Sequence, residues 1–263
     1  MSRVSMTRGL FLTERDTKLL YDCYSHVSLS ISQIANRHFP GLAKSTVLNR
    51  LTKLRREGLL IQQHVGVALH QGVARNIGVV YQVTKKGLKL LKSRYPNEQL
   101  REAPLLLSTT TLTHDLLLTD TLSALEKRFS SYRFLLGRFL PQERRTKERI
   151  PDAVILDTEG RPTVAVELEL TAKSSSRYRE IILQYQLNSH FEKVLYVVGD
   201  EGIFNKIKYQ ITQQKEVPGL KNPSTGKFYF CLLRQTLNDP THTSMSNGLV
   251  ELTLTSIDER TLE

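Results

Sequence analysis

The chain has 263 residues, 40% hydrophobic and 24% charged, the proportions of a globular protein with room for one large domain or two ordinary ones. Its formal net charge of +11 points to an anionic partner, nucleic acid first. No apolar run approaches the roughly 18 residues of a spanning helix, and no signal peptide is evident, so the expectation is a soluble, cytoplasmic protein with no membrane partner. Cys23 and Cys231 lie far apart, fit no metal-ligand spacing and read as free buried thiols.

The basic character sits at one end. Residues 1–95 hold sixteen Lys/Arg against four Asp/Glu, and the remainder holds twenty-one against twenty-two. The polar, proline-bearing stretch "SRYPNEQLREAP" at 93–104 separates an expected first domain, 1–95, from a second, 105–263.

In chain order, "LTERDTKLLYDCYSH" predicts a helix capped by Thr13, with Asp16 completing a capping box and Leu19, Leu20, Cys23 and Tyr24 on one face. "SISQIANRHFP" predicts a short second helix capped by Ser30, with Ile31, Ile34 and Ala35 inward and Pro40-Gly41 beyond its end. "AKSTVLNRLTKLRREGLL" predicts a third, with Val47, Leu48, Leu51 and Leu54 inward and Gly58 as its stop. Two β-rich stretches around a polar middle follow, then the short helix of "KKGLKLLKSRY".

Three helices and a β-hairpin in this order resemble a winged helix-turn-helix, with "STVLNRLTKLRREGLL" as its recognition helix. The resemblance implies a DNA-facing surface of Lys44, Ser45, Thr46, Asn49, Arg50 and Lys53, and a wing around Gln71–Asn76 carrying Arg75. A winged helix used only for protein contacts is the alternative, and the charge excess argues against it.

The second part predicts an amphipathic helix over 111–129 and a strand over 131–140. Strands at 149–157 and 163–171 follow, joined by "TEGRP". A helix at 174–189, a buried strand at 193–200, a helix from Glu201, a strand in "KFYFCLLRQ" and a last strand in "LVELTLTSI" complete the order, with a loop from Gln214 to about Gly226. A turn centred on Glu159–Gly160 sets Asp152 opposite Glu167, about 5 Å apart between Cβ atoms. Glu169 lies roughly 7 Å further along the same strand face. Three carboxylates thus converge on a face otherwise made of Val154, Leu156 and Ala165, where ionised acids need a counter-ion; Mg²⁺ or Mn²⁺ suits oxygen ligands. An exposed edge hairpin with solvated acids is the plain alternative.

This order, with "PD", fourteen residues and "ELE", resembles the PD-(D/E)XK nuclease core. The resemblance implies an α+β protein: a winged helix-turn-helix followed by a restriction-endonuclease-like domain with a mixed sheet. It also implies Asp152 and Glu167 as metal ligands in phosphodiester hydrolysis. Where that family usually has Lys stands Glu169, a third ligand or a base, and Lys173 is displaced by four residues toward the next helix.

The pairing of a winged helix with "HDLLLTD" and "RIPDAV…VAVELELTAKSSSRYREIILQY" resembles the replication-relaxation superfamily, in particular MobC-type plasmid mobilisation relaxases. That implies a metal-dependent endonuclease that nicks one strand of double-stranded plasmid DNA at a transfer origin during conjugation. An accessory mobilisation protein and a coupling protein would be its partners, with the chain a monomer or homodimer. Under this resemblance His114 caps a helix or binds phosphate, Tyr178 or Tyr185 contacts the scissile phosphate or acts as nucleophile, and Arg177 and Arg179 hold the backbone. The plain alternatives are a half-buried histidine, two packing tyrosines one heptad apart and exposed arginines. Two other functions fit the residues: a non-enzymatic replication or transcription regulator, and a restriction-type or repair endonuclease.

Overall fold

The computed structural model describes residues 10–70, 73–98, 100, 109–130, 132–140, 149–157, 159–213, 226–247 and 251–253; for 66–77, 109–110, 245–246 and 251–253 the description is of the backbone. The chain is α+β and divides into two compact units, Met1–Thr119 and Asp120–Glu263. The division falls inside a helix rather than in the polar stretch at 93–104.

The first unit opens with α1 (Glu14–Ser25). Thr13 and Asp16 form the expected capping box: the Thr13 hydroxyl accepts from the Asp16 N–H at 3.3 Å, and the Asp16 carboxylate accepts from the Thr13 N–H at 2.7 Å. Leu19, Leu20, Cys23 and Tyr24 are buried. Ser30 and Gln33 repeat the device at α2 (Ile31–His38). Ile34 is buried there, while Ile31 and Ala35 are half-buried.

On α3 (Lys44–Arg56), Val47, Leu51 and Leu54 are buried. Leu48, expected inward, is 37% exposed, because a short helix on a small sheet buries a narrow stripe and position 48 lies at its edge. Gly58 takes φ +67 beyond the end of α3, the left-handed conformation that glycine tolerates best. The chain then runs out along β2 (Leu60–His70) and back along β3 (Val73–Val83), and β1 (Leu29–Ser30) pairs with the other side of β3. The expected wing residues Gln71 and Gly72, and the side chain of Arg75, lie outside the described residues. Thr84 caps α4 (Lys85–Arg94).

α5 (Thr109–Arg128) was expected to be amphipathic. Instead Leu112, Thr113, Leu116, Leu117, Leu118, Thr119, Thr121, Leu122 and Leu125 are all buried, so most of its circumference is covered. The alternation of threonine with leucine hid this, because a threonine buries readily once its hydroxyl bonds to the preceding turn, as Thr119 Oγ1 does to Asp115 O at 3.0 Å.

The second unit is built on a seven-stranded mixed sheet ordered β10-β9-β8-β7-β6-β5-β4. Its strands are β4 (Arg133–Leu136), β5 (Ala153–Leu156), β6 (Pro162–Glu169), β7 (Lys193–Val198), β8 (Phe228–Leu232), β9 (Ser244–Ser246) and β10 (Glu251–Thr253). The β4–β5–β6 meander is antiparallel, β6–β7–β8 is parallel, and β8–β9–β10 is antiparallel. α6 (Ser175–Leu187) and α7 (Glu201–Gln213) are the crossovers of the parallel part. Their apolar sides share one core with Val154, Leu156, Ala165, Tyr196 and Phe230. The β5–β6 register is the expected one, with Ala153 opposite Val166 and Val154 opposite Ala165, up to a shift after Ile155.

Two expected elements differ, and one strand was not expected. The strand at 131–140 stops at Leu136 and turns into a 3₁₀ turn, Gly137–Phe139. "KFYFCLLRQ" leaves the sheet at Leu232 to form α8 (Leu233–Asn238), and β9 had no sequence expectation at all. The loop expected at Gln214–Gly226 lies outside the described residues, Gly226 excepted. No helix of the described residues is long and apolar enough to cross a membrane.

Candidate functional site

The acidic hairpin lies at one end of the parallel strands. β6 ends at Glu169 and α6 begins at Ser175, so a five-residue connection carries Lys173 back over the strand end. Two bonds hold this connection: the Ser174 hydroxyl accepts from Arg177 N at 3.3 Å, and the Tyr178 hydroxyl accepts from Lys173 N at 3.0 Å. The Lys173 ammonium then pairs with the Glu169 carboxylate. Although displaced by four residues from the place the nuclease family gives a lysine, Lys173 thus brings its ammonium onto Glu169.

Glu167 is 5% exposed, and both of its oxygens are engaged. Arg149 grips them in a fork, Nε to Oε1 at 2.8 Å and Nη2 to Oε2 at 3.0 Å, and the Tyr185 hydroxyl donates to Oε1 as well. Arg149 also lies over the Tyr185 ring, 5.7 Å from its centroid. Asp152 is half-buried and caps the neighbouring strand, its Oδ2 accepting from the Leu168 N–H at 2.8 Å. Its backbone carbonyl accepts from Gly137 N at 3.0 Å. There is no room for a side chain at 137, since a Cβ would stand 1.8 Å from the Pro151 carbonyl oxygen. The break in the expected strand thus fixes the approach of Pro151-Asp152.

The electrostatics follow from burial. Desolvation pushes the Glu167 carboxyl upward and nearby Asp152 adds to the push, while Arg149 and Tyr185 pull it back. Burial also raises Glu169, with Lys173 opposing and Asp152 adding. Desolvation works against the Arg149 charge, but Glu167 outweighs it and the guanidinium stays firmly protonated. The guanidinium and the carboxylate meet in a bidentate fork, the geometry of a charge-assisted bridge. Burial drives the Tyr185 phenol well above its ordinary value and Tyr178 up to about 12, so both remain hydrogen-bond donors at neutral pH.

Tyr178 and Tyr185 are fully buried core residues of α6. Their heptad spacing is a packing pattern here, and neither hydroxyl is presented as a nucleophile. Arg177 and Arg179 are exposed, and Arg177 pairs with Glu180 at 2.6 Å. His114 belongs to the first unit, half-buried on α5 with Nδ1 3.7 Å from Asp115 Oδ1, whereas the acidic cluster is built within the second.

An ion held by Asp152, Glu167 and Glu169 does not fit the arrangement. Among the described residues no three His, Cys, Asp or Glu side chains gather at metal-ligating separation. Glu167 is neutralised by a guanidinium and a phenol, and Glu169 by an ammonium. Arg149 is the residue that sequence reasoning missed. It carries no periodic signal, and only its place two residues before "PD" hinted at it.

On the first unit, Lys44, Ser45, Thr46, Asn49 and Lys53 of α3 are exposed as expected. Arg50 is not part of that surface. It turns inward to the fully buried Asp16, with Nε–Oδ1 at 2.7 Å and a second contact to Oδ2, and reaches the Phe11 carbonyl at 2.9 Å. Asp16 needs that partner because burial opposes its charge, and the bonds from Arg50 and Thr13 more than compensate.

The model of the replication-relaxation family matches residues 20–193, which takes in both the α3 surface and the acidic hairpin with Arg149, Lys173 and Tyr185. No curated protein and no solved structure matches the chain. With about two thirds of its length matched, this chain belongs to the replication-relaxation family.

Proposed function

We propose that this protein acts in plasmid replication or mobilisation as a DNA-nicking relaxase of MobC type. The observation that carries this reading is the charged cluster at the head of α6. Three carboxylates, one guanidinium and one ammonium are set into the end of the sheet, with Glu167 and Glu169 buried. Buried ionisable groups are costly, and they concentrate where chemistry is done.

In this reading the first unit is a winged helix-turn-helix: α2 and α3 form the helix-turn-helix, β2–β3 the wing, and β1 the third strand. Lys44, Ser45, Thr46, Asn49 and Lys53 contact double-stranded DNA at the transfer origin. Asp152, which is half-buried, and Glu169, which is buried, can accept a proton from an attacking water, and Lys173 offers positive charge to a phosphodiester. The element order α5–β4–β5–β6–α6–β7 supports the comparison with the PD-(D/E)XK core.

The test is a supercoiled plasmid bearing the presumed origin, incubated with wild type, Asp152→Ala or Glu169→Ala in Mg²⁺, Mn²⁺ or EDTA, and resolved on a denaturing gel. One nick at one position, absent from both variants, is expected; linear product would indicate a restriction-type or repair enzyme.

A second reading, a non-enzymatic DNA-binding regulator, is favoured by one observation: both Glu167 oxygens are already engaged by Arg149 and Tyr185. Sequence-specific binding with no cut in any of these buffers would establish it over the first.

A further inference from the structure

We infer that α4 is a second DNA-contacting surface of the first unit, whose Lys85, Lys89 and Lys92 hold the phosphate backbone beside the segment that α3 contacts. The sequence "KKGLKLLKSR" puts five of the sixteen basic residues of 1–95 on ten positions, with no acid among them. Positions 85, 89 and 92 follow the i, i+4, i+7 spacing, so the three lysines line one side of the helix, and all three are exposed. Among the described residues none of the three has a carboxylate partner. Gly87, Leu88 and Leu91 form the buried side. The helix itself gains nothing from the stripe. Like charges three and four residues apart repel, and Lys85 stands in the first turn, at the positive end of the helix dipole. Lys92 and Arg94 suit the last turn, and the Lys86 ammonium donates to the Glu57 carbonyl at 2.6 Å. Lys85 and Lys89 have no such local use, and a polyanion supplies the counter-charge they lack.

The start of α4 is fixed to the end of α3. Besides the Lys86 bond, the Thr84 N–H donates to the Leu59 carbonyl at 3.0 Å and the Thr84 hydroxyl to the Gly58 carbonyl at 2.6 Å. At Gly87 the approach is so close that a Cβ would stand 2.4 Å from the Leu59 carbonyl oxygen. The last turn of α3 exposes Lys53, Arg55 and Arg56, so two basic helices meet at one tightly held corner. From Lys85 to Lys92 the stripe runs about 10 Å along the helix axis. That length spans about three phosphates of one strand, at roughly 3.4 Å each. The leucines of α4 are buried or half-buried, so the exposed side offers charge and no apolar face to insert into a lipid surface. A DNA backbone is the anion that such a surface fits.

The inference rests on the reading of the first unit as a DNA-binding module and is independent of nicking. The experiment is fluorescence anisotropy of the full-length protein with two labelled duplexes, one bearing the presumed origin and one of unrelated sequence, over a range of salt concentrations. The proteins are wild type, Lys85→Gln/Lys89→Gln/Lys92→Gln, the same three positions changed to Arg, and Lys44→Ala/Lys53→Ala on α3, each checked for folding by circular dichroism. The triple Gln variant is expected to lose about tenfold in affinity for both duplexes alike, with the slope of log affinity against log salt smaller by about 3. The triple Arg variant, which keeps the charge, is expected to bind as wild type does. Should the triple Gln variant fail to fold, Lys89→Gln alone decides, with a slope smaller by about 1. A wild-type slope in the folded Gln variant overturns the inference; if the α3 variant weakens binding in the same assay, the DNA-binding reading stands without it. Wild type that binds neither duplex at low salt overturns both. Wild-type DNA affinity in the Gln variant, together with lost binding to phosphatidylserine vesicles, assigns α4 to a lipid surface and overturns the inference as well.

Discussion

Arg50 and Lys53 lie three residues apart on one helix and do different work. Arg50 neutralises Asp16, which is fully buried, so Arg50→Ala strands a charge in the core and is expected to cost about 3 kcal/mol in denaturant unfolding. Lys53→Ala touches no such partner; its stability should match wild type while DNA affinity falls at low salt, as seen by fluorescence anisotropy. His26 supplies a pH dependence. It is 6% exposed, and burial, helped by Arg37 and His38 against the opposing Asp22, lowers its pKa to about 4 from 6.5. The unfolded chain therefore binds the extra proton first. Stability conferred by neutral His26 is full above pH 6.5 and falls by about 3 kcal/mol as pH drops toward 4. His26→Leu should flatten that part of a melting-temperature profile; an unchanged slope would assign it to other groups. Tyr178→Phe removes the acceptor for the Lys173 N–H and should cost about 1 kcal/mol in unfolding while leaving the proposed nicking in place, since that phenol is buried and protonated.

At the scale of the element, the short strand before Gly137 decides where Asp152 arrives. Pro151 passes so close that only a glycine fits, and Gly137 N–H bonds to the Asp152 carbonyl. Gly137→Ala is expected to destabilise by about 2 kcal/mol and to displace the Pro151-Asp152 segment. A crystal structure or a hydrogen-exchange measurement on the β4–β5 pair would register it. The β6–α6 connection is the second deciding element. Ser174 caps the helix and Tyr178 anchors the Lys173 backbone, which brings an ammonium four residues from Glu169 onto its carboxylate.

At the scale of the whole molecule, the charge is the dominant fact. The first 95 residues carry sixteen basic against four acidic side chains, and the rest is close to balanced. Binding through the basic part should weaken steeply with salt, and each phosphate-contacting Lys removed from α3 should reduce the slope of log affinity against log salt by about 1. Equal slopes for wild type and a Lys44→Ala/Lys53→Ala variant would remove α3 from the interface.

What the sequence determined by itself is local in origin. Caps at Thr13 and Ser30, the stop at Gly58, the β5–β6 register and the αβββαβ order follow from short-range patterns, because caps, turns and the two periodicities involve residues a few positions apart. The convergence of Asp152, Glu167 and Glu169 toward one sheet end was legible for the same reason. How their charge is met was not. Arg149 reaches Glu167 across eighteen residues and Arg50 reaches Asp16 across thirty-four, and Pro151 forbids a side chain at Gly137 from fourteen residues away. No periodicity encodes such pairings. A buried carboxylate takes whichever cation the tertiary packing brings within hydrogen-bonding distance, and here the packing brought an arginine to the place where the sequence had suggested a metal ion.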